Sequence, residues 1–415
     1  MNPVKTFQAL EKNKRWNLIL LFVTALLFWI SLTTLLPTLP VYTEDLGGTR
    51  QQVGFVMGAF AIGLLGSRLW LGQLVDQRGR KIAILIGTLV AAIAPMGYLF
   101  VNSILLLMMI RAFHGISVAA FTTGYNALVV DLSPPEQRGE LIGYMSLTIP
   151  LGMALGPAVG GYLAELAGYP TLFWTTAALG WLTFILSCQV REVPLYIVKK
   201  ETETLPHQEN RTVLQILSSP SLLIPSLVLL LVGLVFGNLL TFLPLFMREI
   251  HLPLNTGLFY TVSAMSSFVG RFWTGRASDL YGRGIFVSGS LICYIAAMMM
   301  LAWADTPSLF LIAGGLEGIG SGIVIPMIIT LVSDRSGVEE RGKVFSVCIS
   351  GLDVGTAIAG PFFGWLGEIV GYRGLFQLSS VLSLCALVLF ATQGNPSVRS
   401  SWKFALGQEQ DRYAN

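Results

Sequence analysis

The feature that most constrains this chain is a succession of about twelve apolar stretches. Each is close to the roughly 20 residues an α-helix needs to cross the hydrocarbon core of a bilayer. They lie near 17–40, 52–75, 82–101, 105–129, 141–165, 171–190, 222–247, 255–278, 285–304, 308–332, 343–367 and 373–392. Several carry glycine and proline, which membranes tolerate where neighbouring helices re-satisfy the backbone. Only 12% of residues are charged, half of the roughly 25% usual in soluble domains. The expected fold class is an all-α membrane protein with twelve transmembrane helices in two pseudo-symmetric six-helix bundles.

Basic residues then orient the spans. With the N-terminus in the cytoplasm, the inside loops hold Arg78, Arg80, Lys81, Arg138, Arg191, Lys199, Lys200, Arg211, Arg276, Arg283, Arg335, Arg341 and Lys343, and the outside loops only Arg50, Arg248 and Arg373. A multi-pass cell (inner, cytoplasmic) membrane protein with both termini inside is expected. The first apolar stretch, preceded by Lys5, Lys12, Lys14 and Arg15, is too long for a signal-peptide core and is expected to stay. Residues 1–190 form the first expected bundle, 191–219 a polar cytoplasmic linker and 220–393 the second bundle. The tail, 394–415, is polar and expected to be poorly ordered.

Other classes fit poorly. The net charge is +3 without a dense basic patch, so nucleic acid is not expected. Cys188, Cys293, Cys348 and Cys385 read as packing residues, and His114, His207 and His251 are scattered. No metal motif, nucleotide-binding loop or catalytic cluster stands out, so neither a cofactor nor an enzyme is expected.

The two halves repeat with an offset of about 203 residues. Ser67-Arg68-Leu69-Trp70-Leu71-Gly72, then Asp76, Gly79 and Arg80, align with Gly270-Arg271-Phe272-Trp273-Thr274-Gly275, then Asp279, Gly282 and Arg283. Gly115 aligns with Gly318, Asp131 with Asp334, Tyr169 with Tyr372 and Phe173 with Phe376, while Gly160 meets Gly364 after a one-residue slip. Parallel six-helix repeats are a transporter architecture.

With these motifs the chain resembles the major facilitator superfamily over nearly its whole length. Gly72-x-x-x-Asp76-x-x-Gly79-Arg80-Lys81 is similar to the family signature between the second and third helices, with Gln77 where a basic residue is usual, and Gly275, Asp279, Gly282 and Arg283 form its degenerate copy. The resemblance implies a cytoplasmic gate, in which Gly72 allows close helix approach and Arg80 or Arg78 pairs with Asp131. Gly152-x-x-x-Gly156-Pro157-x-x-Gly160-Gly161 resembles the antiporter signature of the fifth helix, with a partial echo at Gly360-Pro361-x-x-Gly364. Pro37-x-x-Pro40-x-Tyr42 and Gly47 look like the first-helix pattern of drug:proton antiporters. Arg111 and Gly115 resemble the fourth-helix arginine motif, with His114 replacing the usual glutamine.

An ionised group at the bilayer centre costs at least about 2.5–3.5 kcal/mol, so each one there calls for a function or a partner. Glu317 and Asp353 lie roughly 13–15 Å into their helices. Either could carry a coupling proton or bind a cation, or be a paired structural carboxylate. Arg111 could drive a proton off a carboxylate or bind an anion, and His114 shares its helix face. Arg68 and Arg271 read as structural. Asn126 and Asn238 are candidate cavity-wall residues. Phe28, Trp29, Phe121, Tyr125, Phe236, Phe242, Met265 and Phe268 could line an apolar pocket, though most such side chains pack or face lipid. The function expected is proton-coupled export of a drug-like compound or metabolite by alternating access, by a protein that is monomeric on the family resemblance. The alternative is a facilitator that imports a nutrient or effluxes sugar.

Overall fold

The computed structural model describes residues 10–134, 137–192, 212–337 and 341–414. The side chains of Leu69, Asp76, Arg276, Asp279, Arg341 and Lys343 lie outside that description, as does most of the linker. Among the described residues there are helices, turns and no strands.

The helices are α1 (Lys12–Thr33), α2 (Leu39–Asp45), α3 (Arg50–Arg78), α4 (Arg80–Tyr98), α5 (Ile104–Leu132), α6 (Arg138–Ser146), α7 (Thr148–Gln189), α8 (Val213–Ser218), α9 (Pro220–Glu249), α10 (Thr256–Tyr281), α11 (Arg283–Trp303), α12 (Pro307–Asp334), α13 (Arg341–Gln393) and α14 (Val398–Ala405). Eight described helical stretches are long and apolar enough to cross a membrane: α1, α4, α5, Arg138–Gln189, α9, α11, α12 and Val344–Gln393. Helices α3 and α10, with 29 and 26 residues, are of spanning length but more polar.

The repeat is visible in the backbone. Gly168 (φ 75°, ψ 174°) interrupts α7, and its repeat mate Gly371 (φ 68°, ψ 175°) interrupts α13. Gly79 (φ 107°) and its mate Gly282 (φ 81°) make the tight turns from α3 to α4 and from α10 to α11. This combination of positive φ and extended ψ is essentially confined to glycine. The first apolar stretch, read as 17–40, is helical from Lys12 but stops at Thr33. Pro37 disfavours helical backbone at the residue before it, and turns through residues 34–38 lead into α2.

The chain divides into two compact units. Unit 1 holds Met1–Tyr42 and Ala59–His207, and unit 2 holds Thr43–Gly58 and Gln208–Asn415. The first turns of α3 thus belong with unit 2.

In lipid, helices gain little from the hydrophobic effect, so close approach at small residues drives packing. In unit 1 the Gly152, Gly156 and Gly160 row of α7 provides that seam. A Cβ at any of the three would collide with α1, at Trp29, at Thr33 and at the Thr34 carbonyl. Thr33 Oγ1 donates to the Gly152 carbonyl at 2.8 Å, and Ser31 Oγ to that of Thr176 at 3.0 Å. Phe28 stacks on Phe121 (4.1 Å between centroids), which stacks on Tyr125 (5.3 Å). In unit 2, Gly233 and Gly237 of α9 let α13 approach. Gly54 of α3 and Gly360 of α13 meet backbone to backbone, each excluding a Cβ on the other.

At that end of unit 2 the basic residues are neutralised. Arg50 pairs with Glu249 at 2.6 Å and donates to the Gly367 carbonyl at 2.9 Å, and its guanidinium lies 4.3 Å from the Tyr372 ring. Arg248 pairs with Asp45 at 2.6 Å and Glu44 at 3.3 Å, and Arg373 pairs with Asp305.

The polar tail corrects an expectation, because it is packed. Helix α14 is capped by Ser397 and buries Ser400, Ser401, Phe404 and Ala405. Phe404 lies 5.7 Å from Phe390, and the bare backbone of Gly284 leaves room for the Phe404 carbonyl. Arg335, its side chain 0% exposed, holds the tail. It grips Asp411 at 2.7 and 3.0 Å and donates to the carbonyls of Ser221 (2.8 Å) and Gly394 (2.7 Å). A chain that supplies carboxylate, carbonyls and an aromatic ring to one guanidinium is ordered despite its polar composition.

Candidate functional site

In unit 1, Arg111 and His114 project from α5 into protein and are 5% and 0% exposed. Leu107, Ser117, Val118 and Phe121 are buried on the same helix, so the four- and three-residue spacing carries both groups inward. The Arg111 guanidinium lies 4.3 Å over the ring of Phe60 from α3. Its Nε and Nη1 have no hydrogen-bond partner, and among the described residues it makes no ion pair. A desolvated cation–π contact is worth about 2 kcal/mol, less than the cost of burying the charge. His114 Nδ1 lies 3.0 Å from the Tyr98 hydroxyl of α4, while its Nε2 is unpaired.

Unit 2 carries a related cluster with different chemistry. Glu317 of α12 is 1% exposed. It accepts from Ser263 of α10 and from Tyr294 of α11, the latter at 3.4 Å. No Arg, Lys or His pairs with it among the described residues. The repeat offset that matches Gly115 with Gly318 also matches His114 with Glu317 and Phe60 with Ser263. Both glycines have the same purpose. A Cβ at Gly115 would strike the Phe60 carbonyl, and one at Gly318 the Ser263 carbonyl. One packing frame therefore holds an imidazole beside an aromatic ring in unit 1 and a carboxyl group beside a hydroxyl in unit 2.

Ser263, Tyr294, Tyr98 and Phe60 were not singled out from the sequence. The signal that could have found two of them was the repeat itself, which sets Phe60 opposite Ser263 once His114 is aligned with Glu317.

Other candidates scatter. Asp353 is half-buried on α13. Asn126 is exposed. Asn238 is fully buried and donates to Ser379 Oγ at 2.9 Å and to the Leu375 carbonyl at 3.5 Å, so it ties α9 to α13 inside unit 2. Phe28, Phe121, Tyr125 and Phe242 are interior packing residues. Met265 and Phe268 are exposed on α10 (62% and 46%), while Trp29 and Phe236 are half-buried. Cys348 packs, whereas Cys188 and Cys385 sit on exposed helix faces. Among the described residues no three His, Cys, Asp or Glu side chains gather to hold a metal ion.

The turn motifs form paired ion locks within each unit. Arg80 Nε meets Asp131 Oδ2 at 2.9 Å, and the mate Arg283 Nε meets Asp334 Oδ2 at 2.5 Å. The carboxyl of Glu192 accepts from the Arg80 amide and fills the space beside Gly79. Each arginine thereby ties the start of one helix to the end of the next, α4 to α5 and α11 to α12. Gly72 does not serve close approach, since a Cβ there would meet nothing within 4 Å. Asp76 and Asp279 lie outside the described side chains, and Gly275 has none to place. Pro157 and Gly161 are buried in α7 beside the glycine seam.

The profile of the Major Facilitator Superfamily matches residues 21–304 and again 257–405. The chain is 26% identical over 382 residues to Multidrug resistance protein MdtG of Klebsiella pneumoniae, covering 89% of this chain and 91% of that protein. It is 25% identical over 358 residues to Quinolone resistance protein NorA of Staphylococcus aureus, covering 84% and 90%. Its fold is similar to a crystal structure of the nucleoside transporter NupG, with a TM-score of 0.73 at 14% identity over 89% of this chain and 98% of that one. The matched profile spans both copies of the repeat, and the chain belongs to the Major Facilitator Superfamily of membrane transporters.

Proposed function

We propose that this transporter exports drug-like compounds or amphipathic metabolites from the cell in exchange for protons, with Glu317 carrying the coupling proton. The observation behind this reading is the wholly buried Glu317 carboxyl, whose partners among the described residues are hydroxyls and not cations. A carboxylate fixed to arginine would keep its charge through the cycle. One held by Ser263 and Tyr294 can take up a proton and release it when its surroundings open to water, and the hydroxyls accept or donate accordingly. Asp353, half-buried, is the weaker candidate. Arg111 and His114 supply unit 1 with a buried cation and an imidazole that can bind an acidic or acceptor group of the substrate.

The names of the relatives, multidrug resistance and quinolone resistance proteins, favour export of drug-like molecules. We read the chain as twelve spans, α7 and α13 each contributing two across their glycine bends, with α3 and α10 completing the set. The bundles are residues 1–190 and 220–393, joined by the linker 191–219 and followed by the tail 394–415. Both termini are placed in the cytoplasm of a bacterial inner membrane, and the protein works as a monomer by alternating access.

The test is made in everted vesicles carrying a pH-sensitive dye, with amphipathic cations, zwitterionic quinolones and sugars added in turn. A substrate-dependent collapse of the pH gradient, absent from vesicles lacking the protein, is expected for amphipathic compounds. Uptake of labelled nutrient into whole cells with no gradient collapse would instead establish the importer reading.

A further inference from the structure

We propose that a basic pocket at the start of α1 binds the phosphate of an anionic bilayer phospholipid. The pocket has a volume of about 400 Å³ and lies between the first turns of α1 and the end of α7. Lys12, Arg15 and Arg191 supply its charge, Asn13, Asn17 and Gln189 its neutral polar groups, and Trp16 and Ile19 its apolar rim. None of these residues is acidic. The nearest carboxyl along the chain after Arg191, that of Glu192, is engaged by the backbone amide of Arg80.

The pocket is built. Buried Asn17 donates to the Arg191 carbonyl at 2.6 Å and accepts from the Arg191 amide at 2.9 Å. This two-way clamp fixes the backbone of Arg191 against α1, so Arg191 converges on Lys12 and Arg15 although it lies 179 and 176 residues from them in the chain. The contrast with unit 2 is informative, because Arg50, Arg248 and Arg373 there each have a carboxylate partner. Lys12, Arg15 and Arg191 have none among the described residues.

The lipid assignment comes from what adjoins the pocket. Trp16, Ile19 and Val23 are 66%, 41% and 40% exposed. Their spacing of three and four residues lines them along one face of α1. That stripe runs from the basic pocket into the apolar span, as an acyl chain would below its headgroup, and tryptophan at this level is the usual interfacial anchor. Basic pockets between transmembrane helices are suited to phosphate-bearing headgroups. A free phosphate ion would use the cations but not the stripe.

The test is the thermal stability of the purified full-length protein in neutral detergent, titrated with short-chain phosphatidylglycerol, short-chain phosphatidylcholine or inorganic phosphate at constant ionic strength. Phosphatidylglycerol is expected to raise Tm by roughly 2–4 °C at concentrations well above its Kd, and the other two by less than half as much. The triple variant Lys12→Gln/Arg15→Gln/Arg191→Gln is expected to lose this increment while keeping the ligand-free Tm. Lys403→Gln, a charge removed elsewhere, is expected to keep it. Equal stabilisation by phosphatidylcholine, or an increment that survives in the triple variant, would overturn the proposal. Full stabilisation by inorganic phosphate alone would assign the pocket to a soluble anion and overturn the lipid reading.

Discussion

Replacing Asp411 by asparagine should release the tail from unit 2. Arg335 is buried, and its two bonds to Asp411 at 2.7 and 3.0 Å form a bidentate pair. Removing one member of a buried pair costs about 3–5 kcal/mol, because the other charge is left uncompensated. The low end applies here. Asp411 is 10% exposed, Arg335 keeps the Ser221 and Gly394 carbonyls, and asparagine keeps one acceptor oxygen. The loss is also capped by the free energy of detaching the tail, since a detached tail lets water reach Arg335. About 3 kcal/mol corresponds to roughly 150-fold faster opening of the segment. Amide hydrogen exchange of residues 395–406 in nanodiscs measures this, with α12 amides as the internal control. Arg335→Lys should behave similarly, since an ammonium cannot reproduce the two-pronged grip. Exchange within about threefold of wild type would refute the reasoning, as threefold is worth well under 1 kcal/mol.

Three further outcomes follow from the same structure. Gly160→Val should separate α7 from α1, because a side chain there strikes the Thr34 carbonyl, and we expect a loss of about 1–3 kcal/mol from overpacking, read as a lower Tm. Gly54→Val should disrupt the backbone contact with Gly360, lowering transport in vesicles by tenfold or more while Gly72→Ala, in open space, leaves it unchanged. Glu409 is held below its usual value of 4.5 chiefly by the Ser400 hydroxyl and secondarily by Arg412, so its support for the tail is complete above that value and fades as the pH falls through its lowered value. Proteolysis of the tail should therefore rise in acid, and Glu409→Gln should remove that dependence.

Much of the architecture was legible because membrane helices announce themselves by length and composition and because the chain is a duplication. Gly79 predicts Gly282, and the Arg80–Asp131 pair has its counterpart in Arg283–Asp334. What the sequence hid lies where partners come from other helices. Nothing in the neighbourhood of Glu317 names Ser263 or Tyr294, which are 54 and 23 residues away. Asn238 looked like a cavity residue from its polarity alone, but polarity inside a bundle serves equally to join two helices, and it faces Ser379. The tail misled for a similar reason. Its polar residues read as solvated, whereas Arg335, lodged at the end of α12, fixes Asp411, and Glu409 is held by Ser400 and Arg412.

The central claim is that Glu317 carries the coupling proton. The direct measurement is substrate-driven proton movement in everted vesicles for Glu317→Gln beside wild type and Asp353→Asn, paired with exchange of labelled substrate across vesicles at equal pH. The account predicts that Glu317→Gln abolishes the collapse of the pH gradient yet retains substrate exchange, while Asp353→Asn keeps both. A Glu317→Gln protein that still couples substrate export to proton entry at the wild-type rate would contradict it.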